Sequence, residues 1–377
     1  MMRIPFNRPF ATGNELDYIR AAIATPKFSG DGSFTAQCHR LLEQSLGIQK
    51  ALLTTSCTHA LEMAALLLHA GHEDEVMVPS FAFPSAANAF VLRGAKPVFV
   101  DVRADTLNID ESQIQQHVTP RTKAIFLVHY AGVGCEMDAI MAIARRHRIS
   151  VVEDNAHGLY GRYRGRYLGT LGQLGTLSFH ETKNFTCGEG GALLINDANF
   201  NERAEILREK GTDRSRFFRG EIDKYTWVDI GSSYLSADLL AAFLRAQLEH
   251  RDQIQSMRRQ IWEIYARELA SWAEANSVRL PIVPAECEQS YHMFYVIMPS
   301  SESRQALISH LASFGILAVF HYLPLHLSPM GLRFGGRRRD CPVTEDLADR
   351  LLRLPFFTGM SSSEQSEVIE AVRGFRC

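Results

Sequence analysis

No apolar run in the 377 residues approaches the roughly 20 that a membrane-spanning helix needs, which excludes a helical membrane protein. Excess charge is also missing: 40 Lys and Arg stand against 42 Asp and Glu, a formal −2 that gives no electrostatic case for binding nucleic acid. The seven cysteines are scattered, without the paired spacing of a metal site or a disulfide framework, so reduced thiols in a cytoplasmic protein are expected. The opening Met1-Met2-Arg3-Ile4-Pro5-Phe6 has no signal-peptide core. There is no internal repeat, no low-complexity tract and no Walker-type phosphate loop. Glycines do recur at 158, 161, 165, 169, 172 and 175 among Tyr160, Tyr163 and Tyr167, but no helix follows at the spacing of a dinucleotide loop. They read as hairpin and turn residues.

What is present suits a folded enzyme. Hydrophobic residues make up 46% and charged residues 22%, and the length suffices for two domains. From Glu75 to Glu153 apolar strand-like runs alternate with helical ones, which predicts a mostly parallel sheet covered by helices on both faces. Residues 236–269 read as one or two long helices leading out of a large domain, 1–249, into a smaller one, 250–377. Strands are expected there at 292–298 and 316–320, with a helix at 304–314 between them. The polar, aromatic and basic stretch 212–229 has no clear periodicity, and such segments are often functional.

Three stretches carry chemistry. In Leu177-Ser178-Phe179-His180-Glu181-Thr182-Lys183-Asn184 an apolar run leads into one lysine, and Gly188-Glu189-Gly190-Gly191 follows before a second apolar run. A lysine at the lip of buried structure loses hydration, so its pKa falls and its neutral amine can attack a carbonyl. Lys183 is therefore a Schiff-base candidate. Ile149 to Asp154 is a strand ending in two carboxylates, ahead of Asn155-Ala156-His157-Gly158. Ligands of open α/β sheets lie beyond the carboxyl ends of strands, where Asp154 falls. An acid there would keep a pyridine nitrogen protonated if the lysine carried pyridoxal phosphate, and would equally serve as a helix cap or an ion-paired strand end. Finally, Ser56, Cys57 and Thr58 open a helical run after a short strand and offer N–H groups and the positive dipole end to a dianion. As a plain N-cap, Ser56 would look the same.

In order along the chain, SCTHAL, DEVMVPSFAF, GAKPVFVDV, VHYAG, VVEDNAHG, SFHETKN and GEGG resemble the DegT/DnrJ/StrS family of nucleotide-sugar aminotransferases, from Ile4 to about Pro355. The resemblance implies an α/β fold, the PLP-dependent transferase fold type I (aspartate aminotransferase-like), with a large, mostly parallel domain and a smaller C-terminal α+β domain. It implies pyridoxal 5'-phosphate as cofactor, anchored by Lys183, with Asp154 at the pyridine nitrogen, His157 near the ring hydroxyl and Phe83 stacked on the ring. Ser56, Cys57, Thr58 and Ser178 would hold the phosphate.

For the sugar nucleotide the resemblance points to Tyr322, His326 and the loop from Arg219 to Tyr225. The stretches REKGT, FFRG, DKYTW, DIGSSYL and FHYLPLH look most like members that aminate a dTDP-linked 4-keto-6-deoxy sugar with L-glutamate to give the 4-amino-4,6-dideoxygalactose. The opposite epimer, or amination at carbon 3, stays open. A homodimer with a shared active site is implied, with 212–233 as the donated segment. Three positions depart from the common pattern: Cys57 stands for a Gly, Asn155 for an Ala, and Ser233 for an Asn. His321 and His326 lack Cys or carboxylate company at ligand spacing, so no metal is expected, and both read as pocket or packing residues.

Overall fold

The computed structural model describes residues 3–376. Its main sheet has seven strands: β1 (Lys50–Thr54), β2 (Glu75–Pro79), β3 (Lys96–Val100), β4 (Thr122–Val128), β5 (Ser150–Asp154), β8 (Leu174–Ser178) and β9 (Gly191–Ile195). They lie in the order β1-β9-β8-β5-β4-β2-β3, and only β9 runs against the rest. The glycine-spaced tract contributes β6 (Arg162–Tyr163) and β7 (Arg166–Tyr167), a hairpin whose two turn residues, Arg164 and Gly165, both have positive φ. That backbone matches the twist of a two-residue hairpin loop.

Alternate residues of the sheet enter separate cores, as the two-residue period of a strand requires. Leu52, Val76, Val78, Phe126, Val152 and Leu193 pack under the helices Cys57–Leu67 and Pro84–Val91. On the other face, Met77, Ile125, Leu127 and Val151 meet the helices Glu111–His117 and Met137–His147. Nearer β1, Ala51, Leu53 and Leu194 pack with Ser33–Leu46 and Asp238–Glu249.

The same alternation separates two adjacent acids. Glu153 is wholly buried and accepts the N–H groups of Gly169 (2.8 Å), Leu171 (2.6 Å) and Gly172 (2.6 Å) and the Nε2–H of His129 (2.8 Å). His129 Nδ1 accepts from the Cys135 N–H at 3.1 Å, which leaves the proton on Nε2. Asp154 therefore turns to the opposite face.

A long helix, Arg251–Ala275, follows Asp238–Glu249 after a break at His250, and we propose the division between a large and a small unit there. Beyond it lie β10 (Cys287–Glu288), which extends the β6–β7 hairpin, and the antiparallel pair β11 (Tyr295–Ile297) and β12 (Leu351–Arg353). The helices Ser301–Ser313 and Ser362–Arg373 share a core with Arg251–Ala275. The strand expected at 316–320 is a correction. Ile316 and Ala318 do alternate inward, but Ile316 pairs with Ile4 and Val319 with Arg353, single bridges to two diverging neighbours. Among the described residues no helix is long and apolar enough to cross a membrane.

Exchanging Glu153 for Gln would turn an amide N–H₂ towards some of four fixed donors. We expect Glu153→Gln to lose about 3 kcal/mol of stability, read as a lower urea midpoint with an unchanged slope.

Candidate active site

Lys183 sits in a loop that closes on itself at the end of β8. Cys187 N–H donates to Phe179 O (3.0 Å), Lys183 N–H donates to His180 O (2.9 Å), and the buried Phe185 ring anchors against Tyr160. Asn184 ties this loop to the small unit. Its Nδ2 donates to Ser290 O (2.7 Å) and its Oδ1 accepts from His292 Nδ1 (2.9 Å). The half-buried Lys183 ammonium is held below the usual lysine range, mainly by desolvation, while Cys57 and Asp154 pull the other way and Arg353 adds to the fall.

Asp154 ends β5 in the same pocket. It is buried, and its Oδ1 accepts the Ala156 N–H at 3.1 Å, with the Cys57 thiol 4.0 Å away. Burial raises its pKa, only partly offset by that N–H and by Lys183. The alternative readings of Asp154, a helix cap or an ion-paired strand end, find no support: no helix begins beside it and no ion pair is made to it among the described residues. The Cys57 side chain, expected only to lend its backbone, packs between Asp154 and Thr176 Oγ1 (3.5 Å).

The helix Cys57–Leu67 begins beside these groups. The Ser56 hydroxyl accepts the His59 N–H at 3.1 Å, so it does cap the helix, and the N–H groups of Cys57 and Thr58 at the first turn have no intrahelical acceptor. Thr58 Oγ1 meets Ser85 Oγ at 2.8 Å, a hydroxyl that motif reading passed over. Gly191 lies against this turn, and any Cβ there would overlap the backbone of Ser56 and Cys57. Ser178, paired with Gly191, comes to the same place. Phe83 precedes the helix Pro84–Val91 and keeps 59% of its surface exposed, with its ring 6.3 Å from that of Tyr322.

A cluster of neutral imidazoles completes the pocket. His157 stacks on His292 with centroids 4.3 Å apart and planes 15° from parallel, and the His321 centroid is 6.1 Å from that of His157. Tyr130 Oη bonds His321 Nδ1 at 3.0 Å. Burial pushes all three histidines well below the usual imidazole range. His292 was not legible as a site residue, because its only local context is a strand more than a hundred residues from Lys183. Its backbone is held by Arg258, whose guanidinium donates to Tyr291 O (2.9 Å), His292 O (2.6 Å) and Thr358 Oγ1 (3.0 Å).

These groups fit pyridoxal phosphate. A buried carboxylate without a cation bonded to it awaits a pyridinium, two free N–H groups and hydroxyls await a phosphate, and an exposed ring offers a stacking face. His157 Nδ1 is a buried atom with no partner.

The family model for the DegT/DnrJ/EryC1/StrS aminotransferases matches residues 10–373. The chain belongs to this family. It is similar to GDP-perosamine synthase of Caulobacter vibrioides, 32% identical over 374 residues, covering 98% of this chain and 97% of that protein. It is 30% identical to the spore coat polysaccharide biosynthesis protein SpsC of Bacillus subtilis, covering 98% and 96%. Among solved structures, Spr1654 of Streptococcus pneumoniae in its PMP form superposes with a TM-score of 0.92 at 26% identity, covering 99% and 98% of the two chains. DesV of S. venezuelae superposes with a TM-score of 0.89 at 30% identity, covering 99% and 98%. This DegT-family chain is a pyridoxal phosphate-dependent sugar aminotransferase with the expected fold.

Not every residue assigned by motif reaches the site of this family member. His326 is fully buried between Ser80 Oγ (2.6 Å from Nδ1) and Glu345 Oε1 (3.1 Å from Nε2), so it is a packing residue and not a sugar contact. Arg219 is bonded to Glu205 and Glu221 near Lys50, at the amino end of β1, and so beyond the opposite end of the strands from Lys183. Tyr225 packs on Phe217 in the same excursion. Neither is brought to the Lys183 of its own chain. Tyr322 is in the pocket, ringed by Phe81, Phe83 and Tyr130.

Because the folded-state pKa of Asp154 is raised, its contribution to stability is present below its unfolded pKa and lost as pH rises through the folded value. The cofactor-free Asp154→Asn protein should melt a few degrees above wild type at neutral pH, with the gap closing as the solution is acidified. The same variant should lose the visible absorbance of bound pyridoxal phosphate. A gap that widened on acidification would refute this account.

Proposed function

We propose that the protein moves the amino group of L-glutamate to carbon 4 of a dTDP-linked 4-keto-6-deoxy sugar, giving the 4-amino-4,6-dideoxygalactose. The observation that supports this reading is that Lys183 stands near imidazoles held below their usual range by burial, with the rings of Tyr322 and Phe83 next to them. Neutral donors and aromatic faces suit sugar hydroxyls. Amination at carbon 4 rests on the resemblance of several stretches together, FHYLPLH among them, which supplies His321 and Tyr322.

When bound, pyridoxal phosphate supplies an aldehyde carbon and an electron-accepting ring. Asp154 would hold the ring nitrogen protonated, and the first turn of Cys57–Leu67 with Ser178 would bind the phosphate. Lys183 Nζ takes the proton from the α-carbon of glutamate, and in the return half-reaction it delivers a proton to the sugar carbon that receives nitrogen. Both roles need an amine poised near neutrality, which its desolvation supports.

Purified protein mixed with L-glutamate should lose its visible absorbance and regain it with dTDP-4-keto-6-deoxyglucose, and proton couplings at carbon 4 of the product should be those of the galacto epimer. Recovery only with a GDP-linked keto sugar would move the reading towards the chemistry named for the Caulobacter relative. Couplings of the gluco epimer or nitrogen at carbon 3 would keep the enzyme and discard this product. Lys183→Ala should show no turnover.

A homodimer with a shared site belongs to this proposal. Trp227 (77% exposed), Phe218 (63%), Tyr225, Val228 and Ile230 leave one excursion, 212–233, apolar and uncovered, more than a lone chain normally shows. Through that excursion Arg219 and Tyr225 would serve the partner's sugar nucleotide. A cytoplasmic setting accords with six free cysteines among the described residues. Trp227→Glu should give a monomer by sedimentation and lose at least about tenfold in kcat/KM.

A further inference from the structure

The glycine-spaced tract that forms β6 and β7 takes no part in the pocket of Lys183, yet a groove of about 910 Å³ opens between it and the helix Arg251–Ala275. That is ample for a small-molecule site. Strand pairing sets one wall. Glu288 of β10 lies opposite Arg162 of β6, and Arg162 lies opposite Tyr167 of β7, so the three side chains form one row on one face of the small sheet. Helical spacing sets the other wall: Arg251, Gln255, Arg259 and Trp262 follow at steps of four, four and three, and share one stripe of the helix. Neither Lys183 nor any imidazole lines the groove. It lies behind the lysine loop, because the Tyr160 ring at its edge meets the buried Phe185 at 5.2 Å.

The lining is rich in charge but has none to spare. Three arginines face three carboxylates. Arg251 Nε donates to Asp252 Oδ1 at 3.2 Å, and Arg259 Nε to Glu263 Oε1 at 2.7 Å. The Arg162 guanidinium carbon lies 4.3 Å from the centre of the Tyr167 ring, and its Nη2 donates to Tyr167 Oη at 2.7 Å, with Glu288 on the next strand. An ionised ligand such as a nucleotide would find no uncompensated cation here. What is left unpaired is neutral. Gln289 is 8% exposed, and its amide has no partner among the described residues. Gln255 Oε1 and Trp262 Nε1 are buried atoms in the same state. Buried polar atoms without partners cost stability and call for an occupant. Amides and an indole N–H offer acceptors and donors side by side, next to the rings of Tyr160, Tyr167 and Tyr291. Hydroxyls that both give and accept hydrogen bonds, on a ring with apolar C–H faces, match that lining.

We propose that this groove binds an uncharged saccharide, at a site separate from the pocket of Lys183 and independent of which keto sugar is aminated there. Gln255, Gln289 and the Trp262 Nε1–H bond its hydroxyls, and the aromatic rings carry its C–H face.

The test mixes the holoenzyme with N-acetylglucosamine, galactose or maltose, with and without an excess of dTDP and GDP to occupy the catalytic pocket, and reads binding by saturation-transfer NMR. At least one sugar should give a saturable signal that neither nucleotide displaces and that Lys183→Ala retains. Gln255→Leu and Gln289→Leu keep the shape and lose the amide, and Trp262→Phe keeps a ring and loses the N–H. Each, checked first by thermal melting, should need about tenfold more sugar for half-saturation. No saturable signal from any of the three sugars would overturn the proposal. A signal unchanged in all three variants would do the same, as would one that dTDP or GDP abolishes, because the sugar would then sit in the catalytic pocket. Binding of N-acetyltyrosinamide where no sugar binds would reassign the groove to a peptide.

Discussion

Glu153 and Asp154 are neighbours on one strand, and the pocket depends on their opposite fates. Glu153 is an anion saturated by the protein, with three backbone N–H groups and one imidazole around it. That saturation pins the return loop at 169–172 and the turn after β4 to the end of β5. Asp154, pointing to the other face by the strand period, is an anion that the protein leaves short of donors. A strand end this rigid can hold a carboxylate in an unfavourable place, ready for a cationic ring. The stability lost there is one price of function.

The remaining groups follow the same pattern. Lys183, the three histidines and Arg353 are each desolvated without full pairing, while groups just behind them are fully bonded. Asn184 is held at both ends, Arg258 at three nitrogens, and Ser290 Oγ donates to His157 O at 2.5 Å. Supported this way, the front row keeps its geometry without help from a ligand. The stretches before and after His250 are bound together elsewhere as well: Asp101, at the end of β3, accepts the N–H groups of Val343 and Thr344 at the start of the helix Pro342–Arg350.

Much of the site lay in short local patterns. Lys183 announced itself by an apolar strand before it and glycines after it, and Asp154 by its place at a strand end. The hydroxyl run at Ser56 marked a helix start, although the contact of the Cys57 thiol with Asp154 depends on how that helix meets β5. His326 and Arg219 were assigned from motifs alone, and neither lies at the pocket of its own chain. A motif carries a residue's neighbours in sequence but not the direction of its side chain, so His326 could turn inward to Ser80 and Glu345 while Tyr322, four residues earlier, faced Phe83.

By itself the sequence determined the alternation of strands and helices and the mostly parallel sheet, and it marked the lysine and the acid proposed for the site at the carboxyl end of that sheet. These follow from periods of two and of about four residues, which are local. Only the tertiary structure decided which distant groups join them: His292 stacked on His157, with Arg258 behind it. The stack joins residues more than a hundred positions apart, and such a contact leaves no mark on the spacing of either.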